Sequence, residues 1–344
     1  MKKIAIIGVQ GKGDRFATGQ AVKALTIYRY FCQEYGRQQV YFANIDSAKK
    51  HPFTVMKNLV SAFQGCRNIV FMPGQNVAIF TAVVSALNKI YRRPIQYIVT
   101  GGDLAEVVKG NPRLGTQIAQ FDGTHVQSKK LRDELITLGI KNAAYLPNCR
   151  DYTEAKMFDH FQQKPFRICT YSRVIKEKGI LDAIEIVKIA NQKYGSDVFR
   201  LEIYGKLYDA FKDELFNAIN QTNGMASYEG VKKASETNEV LSQCFAILFP
   251  TYFSCECFPG TVLDAFAARI PIIANDWLYN SEVIENGVDG FIYPFRDNEK
   301  AAQLLVNLAT DKEIYEKIQA GCQQSMQKFS TQQVMHAFAK NLRD

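Results

Sequence analysis

The sequence predicts an α/β protein with two doubly wound domains, each a parallel sheet with helices on both faces. Short apolar runs alternate with amphipathic segments along the chain, as expected for buried parallel strands and their crossover helices. This alternation occurs twice, with a polar interruption at 150–165. The length of 344 residues is sufficient for two domains, each with its own core.

The first half contains six runs of strand length, separated by segments long enough for helices. The predicted strands lie at 3–8, 39–43, 68–72, 95–100, 123–127 and 143–146. The predicted helices lie at 19–35, 54–64, 75–91 and 128–138. These elements predict a first domain at 1–155, and the interruption at 150–165 predicts a linker.

The second half repeats the pattern over 165–329. Its predicted strands lie at 167–171, 200–204, 225–228, 245–249 and 271–274. Its predicted helices lie at 179–194, 209–221, 235–243, 260–268 and 297–308, and a last helix lies near 330–342. Because ligands of such sheets bind at the carboxyl ends of the strands, the loops that follow the strands are the candidate functional segments.

Composition favours a globular protein of the cytoplasm. Apolar residues make up 47% of the chain and charged residues 22%, which argues against a disordered protein. No apolar run approaches eighteen residues, and the run at 3–8 is too short for a signal peptide. The eight cysteines are scattered and are predicted to be reduced core thiols. The four histidines form no cluster, so we expect no metal and no cofactor.

The segment from Glu256 to Asp264 carries the strongest functional signal. An apolar strand precedes it, Pro259 and Gly260 open a helix, and the second acid follows the first by eight positions. Unpaired N–H groups and the helix dipole make a helix start suitable for a diphosphate, and glycine permits close approach. Two carboxylates beside such a start predict a binding site for a nucleotide diphosphate sugar. The alternative is a surface loop with two unrelated acids.

This segment resembles the signature of family four of the retaining glycosyltransferases, which have the GT-B fold. That signature consists of two glutamates separated by seven residues. Glu256 and Phe258-Pro259 match it, whereas Asp264 stands where the family has its second Glu. Arg173 and the Lys178-Gly179 pair match a second family segment. Further matches lie at 201–205, 228–231, 271–276 and 288–292, and the resemblance is weaker before residue 120.

The resemblance implies a GT-B fold, with two Rossmann-like domains facing across a cleft and the last helix (330–344) crossing back to the first, acceptor-side domain. It implies transfer of a sugar from a nucleotide donor, expected to be UDP-linked, with retained configuration and no metal. The leaving phosphate itself helps to accept the proton of the acceptor. The implied acceptor is a lipid-linked glycan of cell-envelope polysaccharide synthesis.

The resemblance also assigns roles to individual residues. Arg173 and Lys178 neutralise the diphosphate, Glu256 binds the transferred sugar and Asp264 binds the ribose. Asp103 is a candidate to position or deprotonate the acceptor, or else it caps the helix that follows. The remaining predicted donor-binding residues are Phe258, Pro259, Gly260, Thr261, Gly19, Gly205, Tyr228 and Val231.

The loop at 8–20 matches neither a dinucleotide fingerprint nor a phosphate-binding loop. The family has a glycine-rich loop here that faces the donor, and Gly19 at the start of the next helix is the best match. A flexible surface loop is the alternative.

Charge is distributed unevenly. Residues 1–165 carry a net charge of +12 and residues 166–344 a net charge of −4. A basic first domain predicts peripheral binding to the anionic inner face of the cell membrane, and the apolar segment 53–63 is consistent with an interfacial helix. The alternative is a core-facing helix with a solvated basic face. No motif for nucleic-acid binding accompanies the charge. The clusters are Lys49-Lys50 with Lys57 and Arg67, then Lys89, Arg92 and Arg93, then Lys129, Lys130 and Arg132.

Two other functions remain open from the sequence. One is a different GT-B enzyme that acts on UDP-sugars, such as an epimerase or an inverting transferase. The other is a non-catalytic or partner-dependent glycosyltransferase-like subunit, which the departure at Asp264 permits. Release of UDP in the presence of acceptor distinguishes an active transferase from a binding subunit.

Overall fold

The structure is a computed structural model that describes residues 1–11, 19–74, 76–152 and 158–343. Its first unit comprises Met1–Asp151 and Phe329–Asp344, and its second comprises Tyr152–Lys328. Each unit contains one six-stranded sheet in which every pair of neighbouring strands is parallel. The predicted α/β fold, with two doubly wound sheets, is confirmed.

The sheet of the first unit has the strand order β2-β1-β3-β4-β5-β6. Its strands are β1 (Lys2–Gly8), β2 (Val40–Asn44), β3 (Cys66–Met72), β4 (Ile95–Ile98), β5 (Gly123–Val126) and β6 (Ala143–Tyr145). Its helices are α1 (Gly19–Tyr35), α2 (Pro52–Gly65), α3 (Val77–Tyr91), α4 (Leu104–Gly110), α5 (Pro112–Ile118), α6 (Lys129–Thr137) and α14 (Thr331–Ala339). The order reverses between β1 and β3, so crossover helices lie on both faces.

The C-terminal helix α14 packs against α1 in the first unit. Val334, Met335 and Phe338 are buried in the same core as Phe31, and the rings of Phe31 and Phe338 are 6.3 Å apart. Arg343, which follows the helix, donates its backbone N–H to Oδ1 of Asn68 at 2.9 Å. The end of the chain therefore contributes to the core of the unit that contains its beginning.

The sheet of the second unit has the order β12-β11-β10-β7-β8-β9. Its strands are β7 (Phe166–Tyr171), β8 (Phe199–Tyr204), β9 (Ala226–Gly230), β10 (Ala246–Phe249), β11 (Ile272–Asn275) and β12 (Gly290–Tyr293). Its helices are α7 (Ile180–Tyr194), α8 (Asp209–Asn220), α9 (Thr237–Ser242), α10 (Gly260–Ala268), α11 (Asn280–Val283), α12 (Asn298–Thr310) and α13 (Lys312–Lys328). Here the order reverses between β7 and β10.

Several observed elements were not among the predicted strands and helices, namely α4, α5, α11, α13 and β12. The edge strand β12 has four residues, with only its ends buried. The helix α13 is rich in Lys, Glu and Gln, so its narrow buried stripe is hard to recognise in the sequence. That stripe includes Tyr315, Ile318 and Cys322. Short elements and mostly polar helices give weak periodicity, which explains why the pattern missed them.

The helix predicted at 54–64 has one buried face and one exposed face. In α2, Val55 and Leu59 are buried against the first sheet, whereas Phe53 is 90% exposed and Met56 is also exposed. Within the basic cluster at 89–93, Lys89 and Arg92 are exposed, but Arg93 donates from Nε to the carbonyl oxygen of Phe63 at 3.0 Å. Arg93 therefore fastens α2 to the end of α3 and is not a purely solvated cation.

All eight cysteines are free thiols, and six of them are buried. Cys32 and Cys255 are the two that are partly exposed. Burial raises the pKa of the Cys66 thiol to about 11. Of the helices in the described ranges, none has the length and apolar character needed to span a bilayer.

Candidate functional site

Two loops meet where the strand order of the second sheet reverses. The β7 loop (172–179) follows β7, the β10 loop (250–259) follows β10, and these two strands are neighbours. Ligands of doubly wound sheets bind at the carboxyl ends of the strands beside such a reversal. The predicted residues Arg173, Lys178 and Glu256 lie on these two loops, so the fold brings them to one place.

Two glycines allow the β7 loop to pack tightly between its neighbours. Gly179 has a φ of 68°, and a Cβ there would overlap the carbonyl oxygen of Pro250. Gly205, which follows β8, has a φ of 132°, and a Cβ there would overlap the carbonyl oxygen of Ser172. Both positions therefore require glycine for conformation and for space. The structure thus gives Gly205, a predicted donor-binding residue, a role in loop packing.

Lys178 and Glu256 form an ion pair between the two loops. The ammonium donates to Glu256 Oε2, and the two side chains are only 7% and 13% exposed. Burial lowers the pKa of Lys178, and the attraction of Glu256 opposes that change. The hydroxyl of the fully buried Thr251 also lies 3.3 Å from Glu256 Oε2. The sequence assigned the lysine to a diphosphate and the glutamate to a sugar, and their pairing was not predicted.

The Phe253 ring lies beside both predicted diphosphate ligands. The guanidinium carbon of Arg173 is 4.6 Å from the ring centroid, and Lys178 Nζ is 5.2 Å from it. Arg173 is exposed whereas Lys178 is buried. The arrangement places two positive charges within reach of one anion at the switch point, which is the place between β7 and β10 where the strand order reverses.

The start of α10 lies next to the end of β7. Thr261 Oγ1 donates to the carbonyl oxygen of Tyr171 at 2.8 Å, which fastens the first turn of the helix to that strand. The N-cap residue is Pro259, and among the described residues this helix start has no side-chain capping hydrogen bond at the N-cap position. The first N–H groups of the helix, beginning at Gly260, are thus suited to an anion. Phe258, which precedes Pro259, is buried.

The other predicted donor-binding positions of this unit lie on elements around the two loops. Asp264 lies on α10, one turn after its start, and is partly exposed. The hydroxyl of Tyr228, on β9, donates to the carbonyl oxygen of Gly205 at 2.8 Å. Val231 follows β9 and is 42% exposed, so its side chain is accessible to a ligand. Gly205, Tyr228 and Val231 therefore lie toward the carboxyl ends of β8 and β9, whereas Asp264 lies on α10.

In the first unit, Gly19 and Asp103 follow β1 and β4. Gly19 begins α1, and residues 12–18 of its predicted glycine-rich loop lie outside the described residues. Asp103 is exposed at the N-cap position of α4, but its side chain makes no capping hydrogen bond within the described part of the chain. The predicted N-cap position of Asp103 is therefore confirmed, without a capping hydrogen bond from its side chain among the described residues.

Residues 152–324, half of the chain, match the family model described as glycosyl transferases group 1. The chain belongs to this family. It is a glycosyltransferase of the hexosyltransferase class with the GT-B fold. The match covers the second unit, with the Arg173, Lys178 and Glu256 site.

Individual relatives agree with this assignment. The glycosyltransferase is 25% identical to the amylovoran biosynthesis glycosyltransferase AmsK of Erwinia amylovora over 304 residues, which cover 84% of this chain and 70% of AmsK. It is 25% identical to the capsular polysaccharide biosynthesis glycosyltransferase CapM of Staphylococcus aureus over 270 residues, 71% of this chain and 68% of CapM. It resembles the crystal structure of HepE from Anabaena in complex with UDP, with a TM-score of 0.79, 99% coverage of both chains and 15% identity.

Sequence reasoning missed three residues that shape the candidate site of this glycosyltransferase, namely Thr251, Phe253 and Trp277. Trp277 follows β11, and its indole Nε1 donates to the carbonyl oxygen of Phe253 at 3.0 Å. Their positions after β10 and β11 at the carboxyl edge were the available signal, since side chains there converge on the switch point. Across the described residues, no group of three His, Cys, Asp or Glu side chains is arranged to hold a metal ion.

Proposed function

We propose that this enzyme transfers a sugar from a UDP-sugar with retention of anomeric configuration. The observation that carries the proposal is the convergence of Arg173 and Lys178 beside the start of α10 at the switch point. A departing nucleoside diphosphate gains negative charge as the glycosidic bond breaks, and two fixed cations stabilise that charge. HepE, which shares the fold, has been solved with UDP and with UDP-glucose, which supports this donor.

Each part of the donor has a proposed partner. Arg173, Lys178 and the backbone at 258–261 bind the diphosphate, Glu256 binds hydroxyls of the transferred sugar and Asp264 binds the ribose. The segment 228–231 lies beside the base. When the diphosphate binds, it competes with Glu256 for Lys178, and the freed carboxylate then turns to the sugar.

Retention in this proposal follows from attack on the same face that the diphosphate leaves. The leaving phosphate takes part in accepting the proton of the acceptor hydroxyl, so the reaction uses no protein nucleophile. Arg173 and Lys178 supply the positive charge at the leaving group, so the reaction requires no divalent metal and no other cofactor. Asp103, in the first unit, is the proposed residue near the acceptor.

The proposed acceptor is a lipid-linked glycan of cell-envelope polysaccharide synthesis at the cytoplasmic face of the membrane. AmsK and CapM are named for amylovoran and capsular polysaccharide biosynthesis, which supports this class of acceptor. Phe53 and Met56 on α2 and Ile79 and Ile90 on α3 are exposed, and Lys57, which follows Met56 in the sequence, is exposed as well. Apolar side chains among cations suit the surface of an anionic bilayer.

The test is turnover of UDP-sugars by the purified protein with a membrane extract as acceptor source. We expect release of UDP together with sugar incorporation, undiminished by EDTA, and NMR of the product should show the anomeric configuration of the donor. An inverted product would contradict retention, and UDP release that requires a divalent metal would contradict the metal-free mechanism. Absence of UDP binding by calorimetry would overturn the donor assignment.

A further inference from the structure

We infer that Phe253 is a positioning residue that holds Arg173 and Lys178 in the geometry that receives the diphosphate. The inference rests on the proposed function and extends it to a residue outside the predicted set. Two cations approach the single aromatic ring of Phe253. Arg173 lies 4.6 Å and Lys178 5.2 Å from the ring centroid.

Like charges repel, and Phe253 acts on the two cations in addition to Glu256, which pairs with Lys178. The positive charge of Arg173 contributes to lowering the pKa of Lys178, although less than burial does. The face of an aromatic ring is electron-rich and attracts cations within about 6 Å of its centroid. Lys178 also lies 5.4 Å from the centroid of Phe249, but among the described residues Phe253 is the ring near both Arg173 and Lys178.

The backbone of Phe253 is fastened on both sides, so its ring has a defined position. Its N–H lies 3.3 Å from Thr251 Oγ1, which accepts from it. Its carbonyl oxygen accepts from Trp277 Nε1 at 3.0 Å and from the Glu256 N–H at 3.2 Å. The next residue back, Tyr252, donates its N–H to the carbonyl oxygen of Glu177 on the β7 loop at 2.8 Å. The ring is thus part of a braced connection between the two loops.

A neutral ring differs from a carboxylate in what it does when the diphosphate arrives. A carboxylate between the cations would compete with the diphosphate for both of them. The ring holds the cations in place but carries no net charge, so it adds no such competition. Holding the exposed Arg173 in the bound geometry also lowers the entropy that is lost when the diphosphate is bound.

The experiment compares Phe253→Leu with Phe253→Tyr by calorimetry with UDP, pyrophosphate and uridine. Leucine keeps apolar volume without a π face, whereas tyrosine keeps the face. We expect Phe253→Leu to weaken UDP and pyrophosphate about tenfold, from the size of cation–π interactions, and to leave uridine unchanged. Phe253→Tyr should restore wild-type affinity. Tyr194→Leu is the control, since it removes a ring 5.3 Å from Lys164 at the far end of α7.

A second measurement keeps the inference testable if the leucine variant folds poorly. Fluorinated phenylalanines introduced at position 253 keep the ring shape while they weaken its electron-rich face, so UDP affinity should fall stepwise with each added fluorine. Equal UDP affinity across the fluorinated series, or in a folded Phe253→Leu protein, overturns the inference and leaves the proposed function standing. A wild-type protein that binds neither UDP nor pyrophosphate overturns the proposed donor site itself.

Discussion

Lys178 and Glu256 come from two different loops, 78 residues apart in sequence, and pair where Lys178 is buried and Glu256 is only 13% exposed. Removing one member of a buried ion pair leaves the other charge without compensation, which costs far more than the pair contributes in net stability. Arg173, by contrast, is exposed. The two proposed diphosphate ligands therefore differ in how strongly the fold depends on them, and this difference separates catalytic effects from structural ones.

Arg173→Ala and Lys178→Ala should each lower turnover by roughly 10²-fold, the scale for loss of a group that stabilises developing charge. Only Lys178→Ala should also lower the free energy of unfolding, by about 3 kcal/mol, because Glu256 is left buried and unpaired. Steady-state kinetics and chemical denaturation measure the two effects. Lys176→Ala is the control, an exposed lysine of the same loop. Near-normal turnover in both variants would show that the site is elsewhere.

Glu256→Gln and Asp264→Ala should differ in their effects on the affinity for free UDP. The glutamine no longer holds Lys178 as an ion pair, so UDP affinity should persist or rise while sugar transfer is nearly abolished. Asp264→Ala should weaken UDP by about 1–3 kcal/mol, the scale for a lost hydrogen bond that involves a charged group. Titration of UDP into both variants measures this. Equal losses of UDP affinity would refute the separate roles of the two acids.

At the scale of elements, α7 begins and ends with a glycine in the left-handed conformation. Gly179 precedes its first turn with a φ of 68°, and Gly195 follows its last turn with a φ of 81°. The two differ in their surroundings. A Cβ at Gly179 would overlap the backbone of the β10 loop, whereas a Cβ at Gly195 has no heavy atom within 4 Å. The same substitution at both ends thus separates backbone strain from steric overlap.

Gly195→Ala should cost about 1 kcal/mol of unfolding free energy, the strain of a left-handed alanine, and leave UDP affinity unchanged. Gly179→Ala should cost more and should also weaken UDP, because the β7 and β10 loops must move apart and carry Lys178 and Glu256 with them. Thermal unfolding and UDP titration of both variants test this. If Gly179→Ala matched Gly195→Ala in both measurements, the tight packing of the two loops would have no role in the site.

The sequence predicted which loops meet at the candidate site because each of them follows a buried strand with a strong apolar pattern. Arg173 and Glu256 could be placed at the same edge for that reason. The Lys178–Glu256 pair and the ring contacts of Phe253 could not, since they depend on side-chain directions within loops that have no periodicity. For the same reason the polar helix α13 and the four-residue strand β12 were missed, whereas the longer amphipathic helices were found.

At the scale of the whole molecule, charge differs between the two halves of the chain, with +12 before residue 166 and −4 after it. Each cation near an anionic bilayer contributes about 1 kcal/mol, and salt screens this attraction within a Debye length. Exposed apolar side chains on α2 and α3 add contact area that is insensitive to salt. The proposed membrane binding therefore has an electrostatic and an apolar component.

The protein should sediment with anionic liposomes at low salt, less with neutral liposomes, and be partly released as ionic strength rises. Replacing Lys50, Lys57 and Lys89 together with serine should weaken sedimentation and leave UDP affinity intact. The matched control replaces three exposed cations of the second unit and should bind liposomes normally. Binding that is indifferent to lipid charge and to salt would refute the electrostatic component. The control residues are Lys212, Lys300 and Lys317.

The distribution of thiols makes the proposed donor site accessible to site-specific labelling. Six of the eight cysteines are buried, and Cys255 is partly exposed directly before Glu256. Alkylating reagents attack the exposed thiolate, so under native conditions they should react at Cys32 and Cys255 before the buried sites. A Cys32→Ser protein would then carry a single fluorophore on the β10 loop. Its emission would test the proposed exchange, in which Glu256 leaves Lys178 for the sugar and the loop moves.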